Sequence, residues 1–406
     1  MSIDQAVILC GGRGTRLRPH TDALPKPMIS CNGKPFVEYL IKQLTNLGVN
    51  RFVLLTGYLH ESIESYFGDG QRLGVKISYS YGPEEWGTAK RLFQARQYFD
   101  DRFLILYSDN IVPFPLSDVM CEHIKNDLAL TVMLSSKMPG NIRVGSAGRI
   151  ESYDQSRSDS THNHVEIGYM VAERDRLLER FYEPIDSFSD VLSVLATENE
   201  LGGWLQEDSY HSISDPTRWR LAESYLKPKK IILLDRDGVL NRKAPRGTYV
   251  SSWSEFSWLQ PTRMALRQLA DQGFKFIVIT NQAGLARGML ELGAVDEIHE
   301  NMVSILREED GVDIIDIYMC PHHWDEGCKC RKPRPGMLYQ AASDHLLRLD
   351  QTIYVGDDLR DRQAANAACS PCLLIGPNSE IDCDVIPKEL EVVRDTFGSA
   401  FNARAN

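Results

Sequence analysis

The sequence has no long apolar segment. Among its 406 residues, no apolar run reaches the roughly 18 residues that cross a bilayer. The first residues, MSIDQAVILCGG, also lack the basic segment and the long apolar core of an export signal. We therefore expect a cytoplasmic protein that has no membrane partner.

Positive charge and paired cysteines are scarce as well. The 56 acidic residues outnumber the 45 basic residues, and the net charge of -11 argues against nucleic acid as the main partner. The nine cysteines are an odd number, and three of them cluster with histidines. This pattern favours a metal site in a reducing compartment over a disulfide framework.

What the sequence does have is enough length for two domains. With 43% hydrophobic residues, the chain can fill more than one core, because single cores stop growing at roughly 250–300 residues. Short β-rich runs alternate with amphipathic helical stretches in both halves. We predict an α/β fold of two doubly wound domains, each with a mostly parallel sheet, over residues 1–226 and 231–390.

A glycine-rich loop follows the first predicted strand, in the stretch LCGGRGTRLRPHTDALPKP. Its glycines allow a tight turn whose N–H groups point inward and form an anion-binding nest, to which basic side chains add charge. A triphosphate is the natural ligand. The alternative, a plain strand-to-helix loop, is disfavoured by the basic residues and the PKP segment. The predicted phosphate-binding residues are Gly11, Gly12, Arg13, Gly14, Thr15, Arg16 and Lys26.

This loop resembles the signature of the sugar-1-phosphate nucleotidyltransferases, including the heptose 1-phosphate guanylyltransferases, over most of the first half. EEWGTAKRL matches the family's GTA segment, LILYSDN matches the segment of its metal-binding aspartate, and VEIGYMV supplies the glycine beside the sugar. The resemblance implies a Rossmann-like domain in which a sugar 1-phosphate attacks the α-phosphorus of a nucleoside triphosphate. It assigns neutralisation of phosphate charge to Arg16 and Lys26, nucleotide or sugar contacts to Gly87, Thr88 and Gly168, and Mg²⁺ to Asp109.

The sequence departs from that family at three positions. Ser108 precedes the metal aspartate where glycine is usual, and the expected lysine after GRIESY is replaced by Gln155 or Arg157. Ser212 stands where a second metal carboxylate is expected, with Asp215 three residues later as a substitute. We predict an active transferase. The alternative is a degenerate domain that binds a nucleotide sugar.

The second half opens with the stretch LLDRDGVLN. Asp235 ends a predicted buried strand, and Asp237, two residues further in extended backbone, faces the same side. Two adjacent buried carboxylates repel each other and need a cation, for which Mg²⁺ is suited. A turn that caps a helix explains these four residues equally well. Further polar residues after later predicted strands favour chemistry: Thr280, Asn281, Lys332, Asp357 and Asp358.

Together these four motifs resemble the haloacid dehalogenase phosphatases over residues 230–378, which implies a Rossmannoid domain without a large cap. The resemblance makes Asp235 the nucleophile that forms an aspartyl-phosphate, and Asp237 the general acid and base. Thr280 and Lys332, with Asn281 beside them, would bind the phosphoryl group. Mg²⁺ would be held by Asp235, the carbonyl of Asp237 and Asp357. Asp358 is either a group that supports the site or a helix cap.

The segment CPHHWDEGCKC predicts a structural zinc site. Cys320, His322, Cys328 and Cys330 provide three thiolates and an imidazole at close spacing, which closes a tetrahedral site. His323 is the alternative ligand. Zinc here would fix the loop that carries Arg331 and Lys332, and Arg331 suits a second phosphate on the substrate.

Zinc loops of this kind resemble those of histidinol-phosphate phosphatases and D-glycero-D-manno-heptose 1,7-bisphosphate phosphatases. TNQAGLARGML and CRKPRPGML are closer to the heptose enzymes, whereas the short spacer between His322 and Cys328 is closer to the histidinol group. The resemblances imply consecutive reactions on one chain. The second half removes the 7-phosphate, and the first half activates the heptose 1-phosphate with a guanine or adenine nucleotide. A phosphosugar and a nucleoside triphosphate are the expected partners, and a homo-oligomer is compatible with the sequence.

Overall fold

The chain divides into two units, Met1–Lys227 and Pro228–Asn406. The computed structural model describes residues 3–145, 148–181 and 186–376, so residues 377–390 of the predicted second domain lie outside the described residues. Within the described ranges, no helix combines the length and the apolar character needed to cross a membrane. Both units combine helices with sheets, which confirms the α/β class.

The first unit contains thirteen strands and seven helices within the described residues. The strands are β1 Gln5–Leu9, β2 Ser30–Cys31, β3 Lys34–Pro35, β4 Arg51–Thr56, β5 Lys76–Tyr81, β6 Arg102–Tyr107, β7 Asn110–Ile111, β8 Leu130–Ser136, β9 Ile142–Val144, β10 Ile150–Tyr153, β11 His164–Glu173, β12 Leu201–Leu205 and β13 His211–Ser212. The helices are α1 Phe36–Asn46, α2 His60–Phe67, α3 Thr88–Gln94, α4 Leu116–Asn126, α5 Arg174–Leu178, α6 Phe188–Thr197 and α7 Pro216–Leu226.

Nine of these strands form one mixed sheet. Its main path runs β10-β9-β11-β6-β1-β4-β5, while β8 pairs with β11 and β12. The strands β6, β1, β4 and β5 are parallel to one another. In contrast, β11 is antiparallel to both β6 and β8, and β9 is antiparallel to β10. The prediction of a mostly parallel sheet is therefore wrong for this unit. Among the described residues, no α-helix lies between β9 and β10 or between β10 and β11, and strands joined without a helical crossover pair antiparallel.

The central strand β1 is covered on both faces. Ala6 and Ile8 pack in one buried apolar cluster, whereas Val7 and Leu9 pack in another. Successive side chains of a strand point to opposite faces, so the two clusters lie on opposite sides of the sheet. The glycine-rich loop begins where β1 ends, and β4 and β6 flank β1 on either side. This is the position at which open α/β sheets bind ligands.

The second unit has a five-stranded sheet in the order β16-β15-β14-β17-β18, and every pair in it is parallel. Its strands are β14 Ile231–Leu234, β15 Lys275–Asn281, β16 Ile314–Cys320, β17 Tyr354–Gly356 and β18 Cys372–Leu374. Its helices are α8 Gln260–Asp271, α9 Leu292–Asp310, α10 Gly336–His345 and α11 Leu359–Ala367. The strand order reverses at β14, so the predicted motif of aspartates leaves the sheet beside β15 and β17.

Candidate active sites

The aspartate pair lies directly after β14 in the second unit. The Asp235 N–H donates to the carbonyl of Val355 on β17 at 2.9 Å, which anchors the start of the motif to the neighbouring strand. Gly238 then turns the chain with a φ of 93°, a backbone conformation that L side chains rarely adopt. A Cβ at Gly238 would lie 2.2 Å from the Asp357 carboxylate. Glycine at this position therefore lets the first motif approach the residue that follows β17.

Lys332 links the predicted motifs. Its buried ammonium lies 3.0 Å from Asp235 Oδ1 and 2.7 Å from Asp361 Oδ1. It also donates to the Tyr354 hydroxyl at 2.7 Å and to the carbonyl of Ile279 at 2.9 Å. Burial alone would lower the pKa of Lys332, but the two carboxylates raise it. The lysine is therefore a fixed cation beside the proposed nucleophile.

The two carboxyls of the pair have different electrostatic environments. Burial raises the pKa of Asp235, and Lys332 offsets only part of this effect. Burial acts in the same direction on Asp237, but the Arg236 guanidinium and donated hydrogen bonds lower the pKa of Asp237. Asn241 Nδ2 donates to Asp237 at 3.0 Å, and Gln282 Nε2 donates at 2.7 Å. Neighbouring carboxyls with opposite shifts are typical of acid–base sites.

A cluster of buried carboxylates fits a divalent cation. Oxygens of Asp235, Asp357 and Asp361 lie within 4.8 Å of one another. Asp361 is already occupied, because one oxygen binds Lys332 and the other accepts the N–H groups of Asp357 and Asp358 at 3.1 and 3.0 Å. Asp235 binds Lys332 through Oδ1, and both Asp357 oxygens accept from Lys243 at 2.9 and 2.7 Å. Mg²⁺, which prefers oxygen ligands, would bind the Asp235 and Asp357 carboxylates in competition with Lys243. Of the predicted ligands, the structure brings these two together.

Three other predicted residues of the second unit lie near Lys332 and the aspartates. Asn281 donates from Nδ2 to the Lys332 carbonyl at 3.2 Å and accepts the Lys332 N–H at 3.1 Å, so it holds the lysine backbone from both sides. Thr280 is buried, and its hydroxyl accepts a hydrogen bond from Gln282 at 2.9 Å. Asp358 is the N-cap of α11, where its side chain accepts the Arg360 N–H at 3.0 Å. The helix-cap interpretation of Asp358 is confirmed.

A pocket of about 410 Å³ opens beside Lys332. Arg331, Arg334 and Arg360 line it together with His323 and Trp324. The Arg331 Nη1 is buried without a hydrogen-bond partner among the described residues. Three guanidinium groups in one pocket favour an anionic ligand, because guanidinium binds phosphate oxygens in pairs.

The predicted zinc ligands converge. Cys320, His322, Cys328 and Cys330 each place one ligand atom within 4.8 Å of the others. The Cys320 sulfur lies 3.7 Å from that of Cys328 and 3.4 Å from that of Cys330. His323 is not in this group, and its ring packs against Trp324 instead. Three thiols and one imidazole at these distances match the donors of a tetrahedral zinc site.

In the first unit, the predicted nucleotide-binding residues share one pocket of about 460 Å³. Its lining includes, from the glycine-rich loop, Gly11, Gly12, Gly14, Thr15 and Arg16. Later segments contribute Lys26, Gly87, Thr88 and Asp109. Two predicted residues are not among the lining residues: Arg13 pairs with Glu84, and Gly168, with a φ of 77°, packs closely against the Tyr107 ring.

Lys26 and Asp109 form an ion pair in this pocket. Arg91, which the sequence analysis did not single out, positions the surrounding loops. Its buried guanidinium donates to the carbonyls of Thr56 at 2.8 Å, Gly82 at 3.0 Å and Pro83 at 2.6 Å. The sequence signal for Arg91 was its place on α3, directly after the GTA segment.

The three departures from the transferase pattern also have defined positions. Ser108 donates to the Leu9 carbonyl at 2.6 Å. Ser212 accepts from Arg218 Nη1 at 3.4 Å, and Asp215 caps α7 by accepting the N–H groups of Thr217 and Arg218. Because Asp215 is held as a cap, it is poorly suited to replace a metal carboxylate. Gln155 is exposed, whereas Arg157 lines a second cavity that also includes Arg16 and Asp109.

Comparison with known proteins assigns both units. Residues 5–183 match the family model "Nucleotidyl transferase", and residues 230–370 match "Polynucleotide kinase 3 phosphatase". D-glycero-beta-D-manno-heptose-1,7-bisphosphate 7-phosphatase from Bordetella bronchiseptica is 40% identical over 146 residues, which is 36% of this chain and 80% of the relative. The chain belongs to the heptose bisphosphate phosphatase family through its second unit. A nucleotidyltransferase domain precedes this unit, so the chain is a two-domain fusion that acts in sugar phosphate metabolism.

Each unit also resembles one further known protein. Mannose-1-phosphate guanylyltransferase catalytic subunit beta from Danio rerio is 30% identical over 221 residues, covering 52% of this chain and 61% of the relative. The crystal structure of D,D-heptose 1,7-bisphosphate phosphatase from B. bronchiseptica complexed with magnesium and phosphate is 32% identical. The match to that structure covers 41% of this chain and 98% of that chain, with a TM-score of 0.35.

Two residues of the second unit were not predicted from the sequence. Asp361 resembles a routine helix residue in VGDDLRD, yet it joins Lys332 to the backbone after β17. Gln282 joins Asp237 to Thr280 through its amide nitrogen. The available signals were the acidic residue three positions after the N-cap and the polar run TNQ at the end of β15.

Proposed function

We propose that the chain catalyses two consecutive reactions of nucleotide-activated heptose synthesis in the cytoplasm. The second unit removes the 7-phosphate of D-glycero-D-manno-heptose 1,7-bisphosphate. The first unit transfers a nucleotidyl group to the resulting heptose 1-phosphate. We assign these reactions to doubly wound domains at 1–226 and 231–390, with no large cap on the second. The observation that carries the proposal is the convergence of Asp235, Lys332 and Asp357 in one unit and of the glycine-rich loop, Lys26 and Asp109 in the other.

The phosphatase reaction follows from the positions of Asp235 and Asp237. An Asp235 carboxylate oxygen attacks phosphorus, and the bond from phosphorus to the sugar oxygen breaks. The leaving oxygen takes a proton from Asp237, which is proposed to act as the general acid. Water then attacks phosphorus and gives a proton to Asp237, the bond to Asp235 breaks, and inorganic phosphate leaves. Mg²⁺ on Asp235, the Asp237 carbonyl and Asp357 would neutralise phosphoryl charge.

Lys332 and its supports hold the phosphoryl group in this scheme. The ammonium lies on Asp235 Oδ1 at 3.0 Å, close enough to contact a phosphoryl oxygen in transfer to that carboxylate. Thr280 contributes a hydroxyl, and Asn281 keeps the Lys332 backbone in place. The second phosphate of the substrate is proposed to lie in the pocket with Arg331. Its buried and unpartnered Nη1 supports that position.

The zinc proposal rests on the donor set alone. The fit of Cys320, His322, Cys328 and Cys330 to a closed tetrahedral site makes zinc structural. The chain passes directly from Cys330 to Arg331 and Lys332. We therefore propose that zinc stabilises the position of both cations and takes no part in bond breaking.

In the transferase reaction, an oxygen of the heptose 1-phosphate attacks the α-phosphorus of a nucleoside triphosphate. The bond from the α-phosphorus to the bridging oxygen breaks, and pyrophosphate leaves. Arg16 and Lys26 neutralise the phosphate charge, and Asp109 is proposed to hold Mg²⁺. The similarity to a mannose-1-phosphate guanylyltransferase supports GTP as the first nucleotide to test.

A second candidate function exists for the first unit. Ser212 contacts Arg218 where the transferase pattern has a metal carboxylate. This observation favours a domain that binds a nucleotide sugar without catalysis, while the phosphatase remains active.

A substrate panel separates the two candidates. The full chain is incubated with heptose 1,7-bisphosphate, histidinol phosphate or heptose 1-phosphate, each with GTP, ATP, UTP or CTP, and phosphate and pyrophosphate are measured separately. We expect phosphate from the heptose bisphosphate and pyrophosphate from one triphosphate with heptose 1-phosphate. If no triphosphate yields pyrophosphate, the first unit is a binding module.

A further inference from the structure

The first unit has a second cavity of about 320 Å³ next to the glycine-rich pocket. Arg16, Asp109 and Ser214 line both cavities. The shared residues make the two cavities neighbours. In the proposed reaction the glycine-rich pocket takes the triphosphate, so a reacting partner must approach from a space that adjoins it. The second cavity is such a space.

Three segments bring positive charge to this cavity. Lys137 follows β8, Arg157 follows β10, and Arg218 lies in the first turn of α7, and all three line the cavity with Arg16. The cavity has two carboxylates: Asp109 pairs with Lys26, and Asp215 caps α7 and also pairs with Arg218 at 3.6 Å. Within the described part of the chain, the Lys137 ammonium makes no hydrogen bond or ion pair. The cavity therefore has an excess of positive charge, which suits a phosphate monoester.

Ser212 explains why Arg218 is available. The Ser212 hydroxyl is neutral and lies 3.4 Å from Arg218 Nη1, and the nearest Asp215 oxygen is 3.6 Å from Arg218 Nε. A carboxylate at position 212 would form a close ion pair with Arg218 and neutralise it. The serine that departs from the transferase pattern thus leaves Arg218 with one long ion pair, to Asp215, so the guanidinium can still bind a phosphate.

We propose that Lys137, Arg157 and Arg218 bind the phosphate group of the acceptor sugar 1-phosphate. This inference rests on the proposed transferase function and names its acceptor site. In the nucleotidyltransferase pattern a lysine is expected after the GRIESY strand, where this chain has the exposed Gln155. The three cations would take over the charge of that lysine. Reacting groups must come within roughly 3–3.5 Å of each other, and Arg16 lies at the boundary where the two phosphates would meet.

The test uses single variants of the full chain: Lys137→Ala, Arg218→Ala, Arg218→Lys and Ser212→Asp. Loss of one charge-assisted contact costs about ten- to a hundred-fold in affinity. We expect the KM for heptose 1-phosphate to rise about tenfold or more in both alanine variants, while the KM for the triphosphate stays unchanged. Arg218→Lys should recover part of the loss. Lys125→Ala is the control, because this exposed lysine forms an ion pair only with Glu122 among the described residues.

Ser212→Asp distinguishes the proposal from a damaged metal site. If the serine is a lost metal ligand, aspartate should increase pyrophosphate release. If the serine frees Arg218, aspartate should raise the KM for heptose 1-phosphate as Arg218→Ala does. An increase in activity would overturn the proposal.

Calorimetry with heptose 1-phosphate provides a readout that does not need turnover. We expect the alanine variants to lose one binding event relative to the wild-type chain. If the alanine variants lose that binding event but the wild-type chain releases no pyrophosphate from any triphosphate, the acceptor site stands and the transferase reaction is refuted. Variants that bind and react like the wild type would overturn the acceptor site and leave the transferase standing. If the wild-type chain shows no binding event that is missing in the alanine variants, the acceptor site is also overturned.

Discussion

Replacing Asp361 by asparagine should disable the phosphatase, although the residue is not proposed to touch substrate. Asp361 Oδ1 receives hydrogen bonds from Lys332 at 2.7 Å and Tyr354 at 3.1 Å, and Oδ2 receives the N–H groups of Asp357 and Asp358. Asparagine has the same shape but one oxygen. Whichever way its amide turns, two donors of the protein face an NH₂ group.

The magnitude follows from those lost bonds. A buried donor without a partner costs about 1–3 kcal/mol, so two of them destabilise the unit by about 2–6 kcal/mol. Lys332 also loses one of its two carboxylate neighbours and is no longer held at 3.0 Å from Asp235. A displaced contact in the site costs about 100-fold in rate. We expect kcat/KM for phosphate release to fall by about that factor, while pyrophosphate release stays unchanged.

The assay combines phosphate release with chemical denaturation of the full chain. Asp358→Asn is the matched control. Its carboxylate caps α11 at a more exposed position, and asparagine caps helices about as well as aspartate, so this change should cost less than about 1 kcal/mol and little activity. An Asp361→Asn protein whose kcat/KM stays within about threefold of the wild type would refute the positioning role. Each 1.4 kcal/mol corresponds to about tenfold, so a threefold change means that the variant lost less than about 1 kcal/mol of transition-state stabilisation.

Three further perturbations test separate parts of the structure. Removing zinc with a chelator, or replacing Cys328 by serine, should lower the unfolding temperature and the rate of phosphate release together. Elemental analysis should find one zinc ion per wild-type chain. Full phosphatase activity in a zinc-free chain would contradict the structural site. Lys243 binds both Asp357 oxygens at 2.9 and 2.7 Å. Lys243→Ala should therefore tighten Mg²⁺ binding about tenfold in calorimetry by removing a competing cation, and an unchanged Mg²⁺ affinity would exclude this competition. Lys26→Ala should slow pyrophosphate release about ten- to a hundred-fold and leave phosphate release intact; equal losses in both assays would indicate misfolding.

The fold could be predicted where local patterns decide it. The buried strand predicted before Asp235 is confirmed as β14, because a continuous apolar run bounded by polar residues is typical of a buried parallel strand. The direction of β11 could not be predicted. Its antiparallel pairing with β6 and β8 depends on contacts between segments far apart in sequence. Apolar periodicity reports that a strand is buried and not which way its neighbours run.

The sites could be predicted as far as each residue follows a strand end or a short motif. The zinc ligands come together as their close spacing indicated, and Asp235 and Lys332 come together as the resemblance to the haloacid dehalogenase phosphatases implied. Asp361 and Gln282 could not be identified, since their roles arise from hydrogen bonds to residues on other strands. The choice between Gln155 and Arg157 also needed the structure, because only the cavity distinguishes them. Sequence motifs thus predicted the positions of the proposed reacting groups better than those of the residues that hold them.

The central claim is that the phosphatase supplies the acceptor for the transferase on the same chain. The most direct measurement follows phosphate and pyrophosphate together after wild-type or Asp235→Asn protein is mixed with heptose 1,7-bisphosphate and GTP. We expect wild-type protein to release phosphate first and pyrophosphate after a lag. The variant should release neither, and added heptose 1-phosphate should restore its pyrophosphate release. Pyrophosphate formed by the variant from the bisphosphate alone would contradict this order of reactions.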